Sequence, residues 1–521
     1  MCRQSWETTD GQPNQWPGTG CSWSTLGLPA NSVRFIRLSG YYVRNLLEEL
    51  DAPGEWYLDK QTWTLYFWPP SPVTEGTVYA PVLQTLVELT GTSYVTIKGL
   101  TLECCDGSGI VLRNTANCLI AGNTIRNVVA HWDWGMSGVV VAGGKNNGIA
   151  GNDIYEVGGH GISLSGGDRI TLTPANNYAD NNYIHHIGVY YKQGVGIDMS
   201  GCGNRASHNL IHDCPRIGIM FSGNNLIIEY NHIRHINLET EDTGAVYTGG
   251  RDWISSRGSV IRYNYFHDSL GYGQDKGRWV SPHYSWGIYL DDNAGGVDVI
   301  GNIVIRARDG LLHLHNGRDN LIENNIFIDG AQQQVQYSGW NKTHKFWLEH
   351  LPAMIKGYNS IKDQPAWKDM RNISIQPEQA PGFDGLIMSG NTFKRNIVYY
   401  TNPKAELFKL SNVPFSRNQW DWNLYWHKNM PLGIPQKNVK KADEWKEWKA
   451  LGQDAHSVVA DPLFINPGNG DYRLRNDSPA FALGFKPIPV DKIGPYKSDL
   501  RASWPIVEAK GVREKPLVSE Q

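Results

Sequence analysis

One short motif recurs down the middle of this chain: Asn, any residue, then a large apolar residue. It appears as GNTI at Asn123, GNDI at Asn152, NNYI at Asn182, HNLI at Asn209, YNHI at Asn231, YNYF at Asn264, GNIV at Asn302 and NNIF at Asn325. The copies lie 22 to 38 residues apart, the period of a solenoid whose loops vary in length. A second motif, Gly then alternating apolar residues, follows each of the first seven copies. It reads GVVV (138–141), GISL (161–164), GIDM (196–199), GIMF (218–221), GAVY (244–247), GIYL (287–290) and, more loosely, GLLHL (310–314). One such unit cannot bury its own apolar face, whereas stacked units bury continuous rows of Ile and Val. Stacked strands lie about 4.8 Å apart, so an Asn at the same corner of every unit can bond its equivalents above and below. Asn also tolerates the left-handed backbone that such corners need. A propeller or a sandwich supplies short strands without an Asn at one fixed place per unit. The expected fold is therefore all-β, a right-handed parallel β-helix.

Composition narrows the function. Net charge is −3 with no sustained basic block, which removes the electrostatic footprint of a nucleic-acid binder. No apolar run approaches the ~20 residues of a membrane-spanning helix. The 56 Gly suit many tight turns, and the 20 Trp suit stacking on flat apolar faces such as sugar rings. The first residues, MCRQSWETTDGQPNQWPG, carry neither the basic nor the apolar part of a secretory signal. The expectation is a secreted or periplasmic protein whose export segment is missing from this sequence. The seven cysteines (Cys2, Cys21, Cys104, Cys105, Cys118, Cys202, Cys214) have no metal-type spacing. Free buried thiols are expected, with a Cys202–Cys214 or a Cys2–Cys21 disulfide as the alternatives.

Residues 1–80 read as a small β-rich module, with a short helical start at LLEEL and a hairpin of EWYLD and TLYFW. Residues 81–500 read as the solenoid. It is interrupted by a mostly helical insertion at 331–370, resumes at SGNTFKRNIVYYTN (389–402) and is capped by ADEWKEWKALG (442–452) and the strand-and-turn segment 460–484. Residues 501–521 read as a tail.

Strand alternation separates the residues that face the core from those that face out. The outward pairs expected are Ser163/Ser165, Asp198/Ser200, Met220/Ser222, Val246/Thr248, Tyr289/Asp291 and His313/His315. Flanking loops add Glu239, Glu241 and Asp242 before one strand and Arg251, Asp252 and Trp253 after it. A long loop, 270–286, ends in Trp286 just before GIYLDD. Long loops along one edge of a rigid solenoid are where sites are usually built.

Two acidic groups on adjacent coils suit glycoside hydrolysis, in which one carboxyl protonates the leaving oxygen. The other attacks the sugar or activates a water. Asp242 is one candidate, and Asp291 or Asp292 the other, with alternation favouring Asp291. Arg251, Trp253, Trp286, Tyr289, His313, His315, Asp198 and Glu241 are the candidate sugar-binding residues. Trp132, Trp134, Tyr190 and Tyr191 are further aromatics that could floor a subsite or simply pack. His313 and His315 share a face, but two His alone suit hydrogen bonding to sugar better than a metal. No metal or cofactor is expected, with calcium kept as an alternative. The partner expected is a polysaccharide or oligosaccharide, with neither nucleic acid nor membrane. A polysaccharide lyase is the second reading. It needs a Lys or Arg base, for which Arg251 is the ready residue. A non-catalytic carbohydrate-binding solenoid is the third.

The runs LLEELDAPGEWYLD, TLYFWPP, ETEDTGAVYTGGRDW, VIRYNYFHDS, GIYLDDNAGG and GRDNLIENNIF resemble bacterial glycoside hydrolases of family 141. They are similar, more loosely, to the β-xylosidases of family 120. The resemblance spans most of residues 40–495, including the closing DPLF, NGDYRL and DSPAFALGFKPI. It implies a β-helix acting on plant cell-wall polysaccharide of the xylan or fucosylated-pectin type. The family's two catalytic carboxylates fall on Asp242 and on Asp291 or Asp292. Loop 270–286 is longer than the family pattern.

Overall fold

The structure, a computed structural model, describes residues 45–76, 78–130, 135–371, 373–379, 382–428, 430–432 and 444–508. The chain divides into two compact units, Met1–Ala80 and Pro81–Gln521. In the first, Trp56–Asp59 pairs antiparallel with Thr64–Phe67, as the two alternating runs require. Asn45 holds this hairpin by accepting from Leu58 N and donating to Leu58 O.

The second unit is a solenoid of three parallel sheets with 11, 12 and 11 strands, each coil giving one strand to each sheet. The sheet that carries the Gly-apolar motifs is called the groove sheet below. Its inward rows stack in register: Ile162, Ile197, Ile219, Val246, Ile288, Leu312 and Val335 succeed one another from coil to coil, all fully buried. Each such side chain contributes about 1.5–3 kcal/mol relative to an exposed one. Repetition therefore makes the solenoid stiff along its length.

The Asn corner is a continuous ladder. Each Asn Nδ2 donates to the Oδ1 of the next, from Asn123 to Asn152 (3.0 Å) through Asn231 to Asn264 (3.0 Å) to Asn325 and Asn396 (2.9 Å). The same Oδ1 also accepts the backbone N–H of the residue before it in the series, as Asn231 Oδ1 does from Asn209 N. The left-handed residue at this corner is not the ladder Asn but its predecessor. Gly122, Gly151, Asn181, His208, Tyr230, Tyr263 and Gly301 all have φ between 54° and 66°. That arrangement leaves the Asn side chain pointing in and the preceding side chain pointing out, where His208, Tyr230 and Tyr263 stack on one another. A second ladder, absent from the sequence reading, includes Asn147 bonded to Asn177 and Asn320 bonded to Asn391.

Three boundaries differ from expectation. Residues Gln333–Ser338 form a groove-sheet strand rather than the start of the insertion, because Val335 continues the inward row. The inserted helix is Lys345–Ile361, followed by a short turn of helix at Pro365–Trp367. The supposed tail is held as far as Glu508: Arg501 and Ser503 bond Asp153, Ala502 N donates to Gly151 O at 2.8 Å, and Glu508 pairs with Arg234. Residues 509–521 of the expected tail lie outside the described residues, as do Cys2, Cys21, Trp132 and Trp134. Cys104, Cys105, Cys118, Cys202 and Cys214 are free thiols, so Cys202 and Cys214 are not bridged. Trp448, on the helix Glu444–Ala450, closes the end of the core with Trp420 and Tyr425. Its indole donates to the buried Asp454. No helix among the described residues is long and apolar enough to cross a membrane.

Candidate active site

The outward row of the groove sheet runs Ser163, Asp198, Met220, Tyr247, Tyr289, His313. This corrects the alternation read from GAVY. Ile219 pairs with Val246, so Val246 and Thr248 face inward and are fully buried. Ala245 occupies the tight position that Gly218 holds one coil earlier, where a side chain meets Ile233 closely. The Gly of GAVY therefore sits one residue too early to mark the register. A one-residue slip exchanges the two faces. The consequence is that the Tyr247 phenol projects outward.

Tyr247 reaches the next coil and donates to Asp291 Oδ2 at 2.7 Å. His315, one coil further, holds Asp291 Oδ1 through Nδ1 at 2.7 Å, and its Nε2 accepts from Trp340 Nε1 at 3.1 Å. This pair of contacts sets the imidazole proton on Nδ1. Arg251 Nε donates to Asp292 Oδ2 at 2.6 Å. Asp292 and Asn293 both take left-handed backbone (φ 38° and 70°). That turn lets two consecutive carboxylates approach the same imidazole, with Asp292 Oδ1 3.6 Å from His315 Nδ1. Asp291 is 5% exposed and Asp292 7% exposed.

Asp242 enters from the loop one coil away. Its backbone is left-handed (φ 54°) and its N–H donates to Tyr284 O at 2.8 Å. Its carboxyl is open to solvent yet ringed by protein, as befits the wall of a groove. Burial and the nearby Asp291 charge push its pKa up to about 6, against the opposing pull of Arg216 and His315. Asp291 goes the other way. Burial opposes its charge, but the bonds from His315 and Tyr247 and the Arg251 guanidinium outweigh this and hold it well below the usual carboxylate range. Asp292 is raised by burial and by Asp291. The site thus offers a carboxyl that keeps its proton in mild acid beside one that stays ionised.

Donor atoms of Asp291, Asp292 and His315 lie within 4.8 Å of one another, close enough for a metal ion. Both His315 nitrogens are already hydrogen-bonded, and a guanidinium occupies Asp292. Within the protein these donors form a hydrogen-bonded acid network. His313 does not pair with His315 as a ligand: its Nε2 bonds Ser338 Oγ and its ring stacks on Tyr289 at 4.5 Å.

The other expected sugar-binding residues divide. Arg251 and His315 belong to the network, and Glu241 lies on its exposed rim with His283 at 2.6 Å. Asp198 faces the groove two coils before Tyr247. Trp253 and Trp286 are each 1% exposed and have no ring face left for a ligand. Trp253 packs against Trp347 and lies beneath the guanidiniums of Arg257 and Arg318. Trp286 lies under Tyr284, Tyr289 and His313 and donates to Gln336. Tyr289 and His313 are likewise covered, forming a stacked floor. Tyr191 is buried as well, while Tyr190 is partly exposed. Tyr247, Tyr284, Arg216 and Trp340 escaped the sequence reading. The signal for Arg216 was a lone cation directly before an apolar strand; that for Trp340 was its place at the mouth of the insertion.

The family model for a right handed beta helix region matches residues 85–190 and 133–342. The fold is a right-handed parallel β-helix. No curated protein matches the chain by sequence. Among solved structures it is similar to one titled glycoside hydrolase, at 15% identity and a TM-score of 0.37, covering 57% of this chain and 56% of that one. It is also similar to the catalytic domain of a GH87 alpha-1,3-glucanase in complex with tetrasaccharides, at 12% identity and a TM-score of 0.33, covering 65% of each chain. A third is a PL6 family polysaccharide lyase from Pseudopedobacter saltans, at 12% identity and a TM-score of 0.31, covering 78% of this chain and 99% of that one. The chain spans 56% and 65% of the lengths of the first two. The likeness is one of fold.

Proposed function

We propose that this β-helix is a glycoside hydrolase acting on plant cell-wall polysaccharide or oligosaccharide of the xylan or fucosylated-pectin type. Export to the periplasm or the medium goes with such a substrate. The substrate class rests on the resemblance to family 141. The reaction rests on one observation: two carboxyls on adjacent coils in one groove, Asp291 held by Tyr247 and His315 and Asp242 not, which drives their proton affinities in opposite directions. Asp242, with its pKa at about 6, is the general acid. It gives its proton to the glycosidic oxygen as the bond to the anomeric carbon breaks. Asp291, kept ionised, is the partner carboxylate that stabilises the positive charge developing on the sugar ring. Water supplies the hydroxyl that ends on the anomeric carbon, and its other proton restores the acid. Arg251 holds Asp292 so that the partner carboxylate keeps its place.

The lyase reading loses the base first named for it, because Arg251 is committed to Asp292 at 2.6 Å. A purely binding solenoid has no use for an acid and an ionised carboxylate set side by side. The test is a screen on xylan, pectin fragments and aryl glycosides with the unaltered protein, Asp242→Asn and Asp291→Asn. Reducing ends released by the unaltered protein alone are expected. An unsaturated uronide as product overturns the hydrolase reading, and full activity in Asp242→Asn overturns the site.

A further inference from the structure

Several guanidiniums are packed into this solenoid, and Arg257, Arg417 and Arg501 each face a carboxylate within ion-pair distance. Arg257 bonds Trp253 O at 3.1 Å and Arg371 O at 2.9 Å and faces Asp319 at 3.6 Å. Arg501 bonds Asn181 O, Ser503 O and Asp153. Arg216 differs. Among the described residues its side chain makes one hydrogen bond, a long one of 3.3 Å to Glu241 O, and no carboxylate lies within ion-pair distance. It stands at the turn leading into the Ile219–Asn224 strand, one coil before Asp242, with its guanidinium open to the groove. Tyr191 and Tyr247 crowd it, and burial lowers its pKa against the pull of Tyr247, Asp242, Tyr191 and Asp291.

Of the carboxylates around it, Asp242 acts on it only at longer range, and the others are engaged elsewhere. Asp291 is held by Tyr247 and His315, Asp292 by Arg251, and Glu239 by Lys192 at 2.9 Å. A guanidinium whose planar fork is left unfilled in a partly desolvated wall is matched to a carboxylate or a similar planar anion. One coil further from the acid, Asp198 faces the same groove and accepts no hydrogen bond among the described residues. Its carboxyl suits the hydroxyls of a neighbouring sugar. Coils repeat at about 4.8 Å, so Arg216 and Asp242 succeed one another at the strand starts, while Asp198 lies further along its strand, in the outward row with Met220 and Tyr247.

We propose that the groove on the Asp198 side of the acid pair is a subsite for an acidic sugar, a uronic acid unit whose carboxylate is held by Arg216. This deepens the glycosidase reading and rests on it for the position of the bond that is cut. The neighbouring unit is oriented by Asp198. The substrate class is then a polymer that carries uronate beside the cleaved linkage.

The experiment measures binding apart from turnover, by calorimetry on the full-length Asp242→Asn protein. Its ligands are size-matched oligosaccharides in neutral, uronate-bearing and sulfated forms. The uronate form should bind about 10–100-fold more tightly than the neutral one, the worth of a charge-assisted bond to guanidinium. Arg216→Gln should erase that preference, and an unaltered melting temperature shows that the variant is folded. Arg216→Lys, which keeps the charge and loses the fork, should retain part of it. Equal binding of neutral and uronate forms overturns the proposal, as does a preference that survives Arg216→Gln. A preference for the sulfated form overturns the uronate assignment. If the hydrolase reading fails instead, the preference persists while the unaltered protein releases no reducing ends.

Discussion

Two corners of the same solenoid are built from similar means to opposite ends. At the Asn ladder every coil from Asn123 to Asn423 contributes the same neutral amide, buried, and each amide bonds the coils on either side, as Asn209 and Asn231 do. At the groove edge between Asp242 and His315 no two coils contribute the same group. One gives a loop carboxyl, the next a doublet of carboxylates at a left-handed turn, the third an imidazole. Both corners use left-handed residues and inter-coil hydrogen bonds. Neutral and repeated, such bonds give stiffness. Charged and unrepeated, they set proton affinities. The ladder supplies the rigidity that the site needs, because acid and partner must stay in register across coils.

The largest expected effect separates the two corners outright. Asp242→Asn should lower kcat/KM by about 10²–10⁴-fold, the usual worth of a general acid. Its melting temperature should stay close to that of the unaltered protein, since a raised pKa shows that the ionised form gains little from its surroundings. A comparable loss of stability would mean that the two corners are not separable.

Next in size is the reverse experiment. Asn231→Ala removes bonds to Ala206 O (3.0 Å), Glu229 O (3.1 Å) and Asn264 Oδ1 (3.0 Å), and orphans the Asn209 amide below it. Leaving such buried groups unpaired should cost about 3 kcal/mol or more. Thermal denaturation should show the loss, while the protein that remains folded keeps the original kcat. A fall in kcat at full folding would tie the ladder directly to chemistry.

A smaller and sharper test is Tyr247→Phe. Asp291 loses one of the bonds that hold its pKa down, so its ionised form should begin to fail at higher pH. The acid limb of the pH–rate profile should move upward, with a loss of about tenfold in rate. An unmoved limb would assign it to Asp292.

The smallest expected change concerns the other limb. Asp242 must carry its proton to act, and its pKa lies at about 6, so activity should fall as pH rises through that value. Arg216 favours the ionised form of Asp242, so Arg216→Gln should carry the limb to higher pH on a neutral substrate. A downward move would show that Arg216 does not act on Asp242 through its charge.

How much of this was legible beforehand depends on how local each signal was. The ladder was read from Asn-x-Ile because its period is written into every coil. Which residue of the corner is left-handed was not, since Gly122, His208 and Tyr230 fill that place equally and only the backbone distinguishes them from the Asn that follows. Asp242 and Asp291 were read as a pair from adjacent coils. Trp253 and Trp286 stand among the candidate sugar-binding residues because they flank the groove strands, and both are buried by elements distant in sequence. The helix Lys345–Ile361 brings Trp347 against one, and the Gln333–Ser338 strand brings Gln336 to the other.

By itself the sequence determined the period, the inward rows and therefore the solenoid, because each depends on neighbours a fixed number of residues apart. It also determined that unrepeated acids collect between Asp242 and Asp292. Tertiary structure alone decided the register at Val246, the partner each carboxylate takes and the direction of each proton affinity. Those depend on which groups from three coils and an insertion meet in one partly desolvated place, and no spacing along the chain records that meeting.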